Sequence, residues 1–115
     1  MITVGELAAW IMLHRKGEAF KDYSISKIVF QLDEAITNNC LMCTHNGKEI
    51  TGVAVGEIDV VKKDMFVYDI LTIENKAIVK MLSQFMKQYP GYTLSGVAKN
   101  GKERHFESAQ LAKRL

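Results

Sequence analysis

Asp69 stands in the run Met65-Phe66-Val67-Tyr68-Asp69-Ile70-Leu71-Thr72-Ile73, which has no Gly or Pro and the β-branched and aromatic composition of a central strand. Strand alternation puts Asp69 on the same face as Met65, Val67, Leu71 and Ile73, so its carboxylate is expected among apolar neighbours. A carboxylate in that position finds a partner or goes neutral, because burying it unpaired costs several kcal/mol. His14 is the partner whose chemistry fits. An imidazole titrates near neutral pH and can take a proton or act as a nucleophile, and a carboxylate on its other nitrogen fixes the tautomer and stabilises the imidazolium. His14 and Asp69 are therefore the candidate catalytic pair, expected within hydrogen-bond reach of each other and opening on a groove beside the sheet. The structural alternative pairs Asp69 with Arg15, Lys80 or another cation and leaves His14 as a helix-end residue favoured by the helix dipole.

Cys40 and Cys43 have CxxC spacing. They fall in a predicted strand, where residues three apart face opposite ways, and no second ligand pair completes a zinc site. Reduced core thiols are the expectation, with no metal and no bound cofactor. His45 and His105 sit beside predicted hairpin turns and read as surface residues.

The elements that must position these groups follow from the hydrophobic period. Thr3 and Glu6 form a capping-box pattern, and Leu7, Trp10, Ile11 and His14 recur at helical spacing until Gly17, so a first helix runs from about Val4 to Lys16. Ser24 or Ser26 caps a second helix whose apolar face is Ile25, Ile28, Val29, Leu32 and Ile36, ending near Asn38-Asn39. Strands follow at Cys40 to His45 and Ile50 to Val61, joined at Asn46-Gly47. Gly52 and Gly56 mark a bend, a bulge or a close backbone approach by a ligand, and Lys62-Lys63-Asp64 turns the chain into the Asp69 strand. The helical period then returns in Ile78, Met81, Leu82, Phe85, Met86 and Tyr89, capped by Asn75 and stopped by Pro90-Gly91. Tyr92 to Lys99 and Lys102 to Phe106 form a last hairpin about Asn100-Gly101, and Ser108 to Leu115 a short basic helix or frayed end.

At 115 residues and 48% apolar composition the chain is expected to form one domain, residues 1–115, with a single core. No run is long enough to span a bilayer and no basic leader with an apolar stretch opens the chain, which places it in a cytoplasm. Residues 1–75 carry seven Lys/Arg against eleven Asp/Glu and residues 76–115 eight against two, giving −4 and +6. Lys99, Lys102, Arg104, Lys113 and Arg114 make the second part a candidate surface for an anionic partner. Nucleic acid ranks last among such partners, since no reader motif or aromatic-basic stripe is present.

The order helix, helix, three antiparallel strands, helix, two strands resembles the core of the GNAT acyltransferase superfamily. That resemblance implies an α+β fold with a central, mostly antiparallel sheet, two N-terminal helices and one helix after the fourth strand. Trp10-Ile11-Met12-Leu13-His14-Arg15 is similar to the opening of the toxin-activating lysine acyltransferases of the haemolysin-activating type, where a Leu-His-Arg segment carries the catalytic histidine. Phe66-Val67-Tyr68-Asp69 resembles the strand with that family's aspartate, and Ala77 to Pro90 its following helix. The implied function is transfer of an acyl group to a protein lysine, with His14 as base or nucleophile and Asp69 in support. The usual acetyl-CoA signature, Gln/Arg-x-x-Gly-x-Gly/Ala, is missing at Thr72-Ile73-Glu74-Asn75-Lys76-Ala77. The implied donor is therefore acyl carrier protein rather than acetyl-CoA, an acidic partner that suits the basic C-terminal part. A homodimer is also implied, although the chain is shorter than the toxin activators and lacks the C-terminal extension that helps to form their sheet and dimer. Small GNAT-like bacteriophage proteins are similar too, and they imply the alternative of a non-catalytic virion component or host-factor-binding module.

Overall fold

The computed structural model describes residues 2–17, 19–97 and 103–107, with the backbone alone at Val97 and 103–107. The described elements are α1 (Val4–His14), α2 (Ile25–Thr37), β1 (Leu41–Asn46), β2 (Glu49–Asp59), β3 (Asp64–Thr72), α3 (Asn75–Gln88), β4 (Thr93–Val97) and β5 (Glu103–Glu107). The strands form one mixed sheet in the order β1-β2-β3-β4-β5, antiparallel at every step except the parallel pair β3 and β4. Parallel neighbours require a crossover connection, and α3 supplies it. The α+β layout and the mostly antiparallel sheet match the expectation. The order helix, helix, three strands, helix, two strands is as expected, but α3 follows the third described strand and not a fourth, because the chain between α2 and α3 forms only β1, β2 and β3.

Local signals account for most element ends. Thr3 accepts the Glu6 N–H and Ser24 the Lys27 N–H, each satisfying a donor that the first helical turn leaves unpaired. At α3 the N-cap is Glu74 rather than Asn75, with no side-chain cap hydrogen bond. α1 stops at His14 and not at Lys16, since Arg15 is already extended and its side chain turns back into the loop. Asn46 pairs with Glu49, so the first hairpin turns on Gly47-Lys48, with Gly47 at φ 62.

Each face of the sheet has its own core. Leu7, Ala8 and Ile11 of α1 and Ile28, Leu32 and Ala35 of α2 pack with Phe20 on Ile50, Val53, Val55 and Leu71. On the other face Met81 and Phe85 of α3 pack on Cys40, Met42, Ala54 and Met65, with Val67 and Leu94 at the margin. Burying each such large apolar side chain contributes about 1.5–3 kcal/mol.

Two irregularities let the strands serve both cores. Thr44 pairs with Gly52 but His45 with Ile50, so Thr51 is an extra residue of β2, and its hydroxyl meets that of Thr44 at 3.0 Å inside the sheet. Val55 pairs with Asp69 but Gly56 with Val67, which leaves Tyr68 as an extra residue of β3. A bulge of this kind breaks the alternation of side chains. Met65 and Val67 consequently belong to the α3 side, while Leu71 lies under α1 and α2. The close approaches at the glycines come from the protein itself: a Cβ on Gly52 would lie 2.7 Å from Met81 Cε, and one on Gly56 would run into the Phe66 carbonyl oxygen.

β4 is held to β3 by four register pairs, Asp64 to Val67 against Thr93 to Gly96. Both carboxylate oxygens of Asp64 accept across this pair, one from the Thr93 hydroxyl and one from that of Ser95 at 2.8 Å. The expected Asn100-Gly101 turn, the segment Ser108 to Leu115, and Lys99, Lys102, Lys113 and Arg114 lie outside the described residues, as do the side chains of Arg104 and His105.

Candidate functional site

The bulge at Tyr68 decides what Asp69 meets. Unbroken alternation would send its carboxylate to the α3 side with Met65 and Val67; the extra residue instead turns it with Leu71 toward the segment joining α1 and α2. There Asp69 Oδ1 accepts the backbone N–H of Phe20 at 2.9 Å, and Oδ2 takes a long 3.5 Å bond from Gln31 Nε2. Phe20 is fully buried yet has φ 55, a conformation that bulky residues adopt only when their surroundings hold them there. Asp69 is one such restraint. Arg15 is another, its Nη1 donating to the Phe20 carbonyl at 3.2 Å and the Tyr23 carbonyl at 2.7 Å. Lys27 Nζ lies 4.1 Å from the centre of the Tyr23 ring.

Burial raises the Asp69 pKa above its ordinary 3.8, opposed by the hydrogen bonds from Phe20 and Gln31 and by the charge of Lys27. Gln31 Oε1 is buried without a hydrogen-bond partner beside this carboxyl group. The suggested structural partners are thus redistributed: Arg15 serves loop carbonyls, Lys80 belongs to α3 on the opposite face, and Lys27 supplies the nearby positive charge.

His14 has a different setting. Its ring lies 4.9 Å from that of Trp10, tilted by 42°, and no hydrogen bond joins it to Asp69 among the described residues. It opens on a shallow groove of ≈ 360 Å³ between α1 and the first hairpin, lined also by Glu6, Trp10, Lys48, Glu49, Ile50 and Ile73. Asp69 is not part of that lining. The structure therefore does not bring the two sequence-selected residues together by hydrogen bonding or in one groove.

The thiols divide as their spacing requires. Cys40 is 1% exposed in the α3-side core and donates to the Asn38 carbonyl, whereas Cys43 borders the core under α1 and α2. Burial pushes both thiols up from the ordinary 9.0, so they are protonated and weakly nucleophilic at neutral pH. Among the described residues no group of three or more His, Cys, Asp or Glu is arranged to hold a metal, and no helix is long and apolar enough to cross a membrane.

Sequence reasoning missed Phe20 and Gln31. Phe20 contributes a backbone N–H, which no side-chain pattern announces. Gln31 had a signal: it lies three residues after Ile28, as a polar side chain against the buried stripe of α2. No protein-family model matches the chain, and neither the curated proteins nor the solved structures contain a match.

Proposed function

We propose that this chain is a non-catalytic, GNAT-like module that binds a protein partner in the cytoplasm. The observation that supports this reading is the use made of Asp69. Both of its carboxylate oxygens are taken up inside the fold, by Phe20 and Gln31, where they anchor the connection between α1 and α2. A carboxylate whose two oxygens accept from these internal donors acts as an anchor for the loop, and neither of the two bonds comes from His14. The β3 to α3 junction fits the same reading, since Glu74 stands at the helix N-terminus where an anionic donor group would have to approach.

A second reading, acyl transfer from acyl carrier protein to a protein lysine, is favoured by one observation: His14 lines a groove and is half-buried. One assay separates the two. The chain is incubated with radiolabelled acetyl-CoA or octanoyl-acyl carrier protein and a lysine-rich acceptor peptide. The binding-module reading expects no more labelled peptide than a folded His14→Ala variant gives. Transfer by the unaltered chain that disappears in His14→Ala would overturn it and favour the acyltransferase.

A further inference from the structure

α1 and α2 cover only part of their face of the sheet. Their core reaches Val55 and Leu71, and further along the same strands, toward the turn between β2 and β3, this face carries Glu57, Phe66 and Tyr68. Phe66 and Glu57 are register partners, and the Phe66 and Tyr68 rings meet edge to face at 5.5 Å. Tyr68 is 49% exposed and Glu57 is exposed, so no described helix closes over them. The Tyr68 hydroxyl donates to Glu57, which is the main cause of a phenol pKa pushed up to about 12, and the charge of Glu34 on α2 adds to the same shift. An exposed Tyr68 against a partly buried Phe66 thus stands with Glu57 on the sheet and Glu34 on the neighbouring helix, and the lysines of that hairpin, Lys62 and Lys63, lie in its turn.

We infer that this uncovered sheet face is the partner-binding surface and that its occupant is an arginine-bearing basic segment of another protein. The choice of occupant rests on charge complementarity. A guanidinium stacks on an aromatic face, and its fork of donors pairs with a carboxylate such as Glu57. An acidic or purely apolar segment would meet Glu34 and Glu57 without compensation. This inference rests on the binding-module reading and specifies the chemistry of the partner.

The test is a fluorescence anisotropy titration of the full chain with fluorescein-labelled deca-arginine, alongside labelled deca-glutamate. Saturable one-to-one binding of deca-arginine is expected, weakened roughly tenfold or more by Tyr68→Ala and by Glu57→Gln, and unchanged by Tyr68→Phe, which keeps the ring. Glu6→Gln and Glu49→Gln, in the separate groove, serve as charge controls and should bind as the parent does. Should Tyr68→Ala fail to fold, Glu57→Lys at an exposed position gives the same answer. Absence of saturable binding, equal losses in the groove controls, or tighter binding of deca-glutamate would overturn the proposal. Acyl transfer in the earlier assay would reject the non-catalytic reading without moving these affinities, so the two failures are distinguishable.

Discussion

Replacing Asp69 by asparagine removes a charge and keeps the shape. Asparagine Oδ1 can accept the Phe20 N–H as the carboxylate does, and once the Gln31 amide turns over, its Oε1, the atom now buried without a partner, can accept from the asparagine Nδ2 in place of the present Nε2 bond. Asp69→Asn is therefore expected to melt at the parent temperature or above it, whereas Asp69→Ala, which strands both partners, should lose about 1–3 kcal/mol in urea titrations. The comparison depends on pH. The folded-state pKa of Asp69 lies above its ordinary 3.8, so the folded chain holds this proton more tightly than the unfolded one. Its contribution to stability is full below 3.8 and is lost as pH rises through the folded-state value, so the advantage of Asp69→Asn should grow over that window. An Asp69→Asn protein much less stable than the parent at neutral pH would show that the carboxylate charge itself is required. That Asp69 needs a partner was legible in the sequence, because a charge inside an apolar strand run is a conflict that must be resolved. Which partner was not, because the answer is a backbone N–H held in an uncommon conformation.

The irregular positions of β2 and β3 carry the molecule's two-faced core, and glycine is what permits them. At Gly56 an added methyl would meet the Phe66 carbonyl, a backbone atom that moves only if the ladder moves. At Gly52 it would first meet the flexible end of Met81, at 2.7 Å, and then the Thr44 hydroxyl at 2.9 Å. Both alanine variants are expected to destabilise by about 1–3 kcal/mol, with Gly56→Ala the worse of the two because the crowded atom is backbone. Equal melting temperatures for the parent and Gly56→Ala would contradict the register between Val55 and Gly56. The sequence showed the helices, the cap at Thr3 and Ser24 as one of two candidates for the second cap, and it flagged both glycines. It could not show the sidedness of Asp69, since an extra residue at Tyr68 leaves the run from Met65 to Ile73 looking like unbroken alternation.

Across the whole molecule, the switch of hydrophobic period at Cys40 and again near Asn75 was enough to order the elements. The same pattern did not distinguish a parallel return after α3 from an antiparallel one, which depends on where the helix deposits the chain. That return has a kinetic consequence. Among the described residues β4 and β5 are held by the short parallel pair, the Asp64 contacts, the Thr93 N–H bond to the Lys63 carbonyl and Leu94 at the core margin, whereas β1, β2 and β3 share long antiparallel ladders with helices on both sides. A seam of that kind opens before the body it is sewn to. In native-state hydrogen exchange the amides of Leu94 and Gly96 should exchange well ahead of those of Val53 and Leu71, with a free energy of opening below that of global unfolding. Asp64→Ala should widen the gap between the two classes. The paired strands β4 and β5 would then come away together while the helices and first three strands stay folded, making β3 an intermittently open sheet edge and giving one fold two lifetimes.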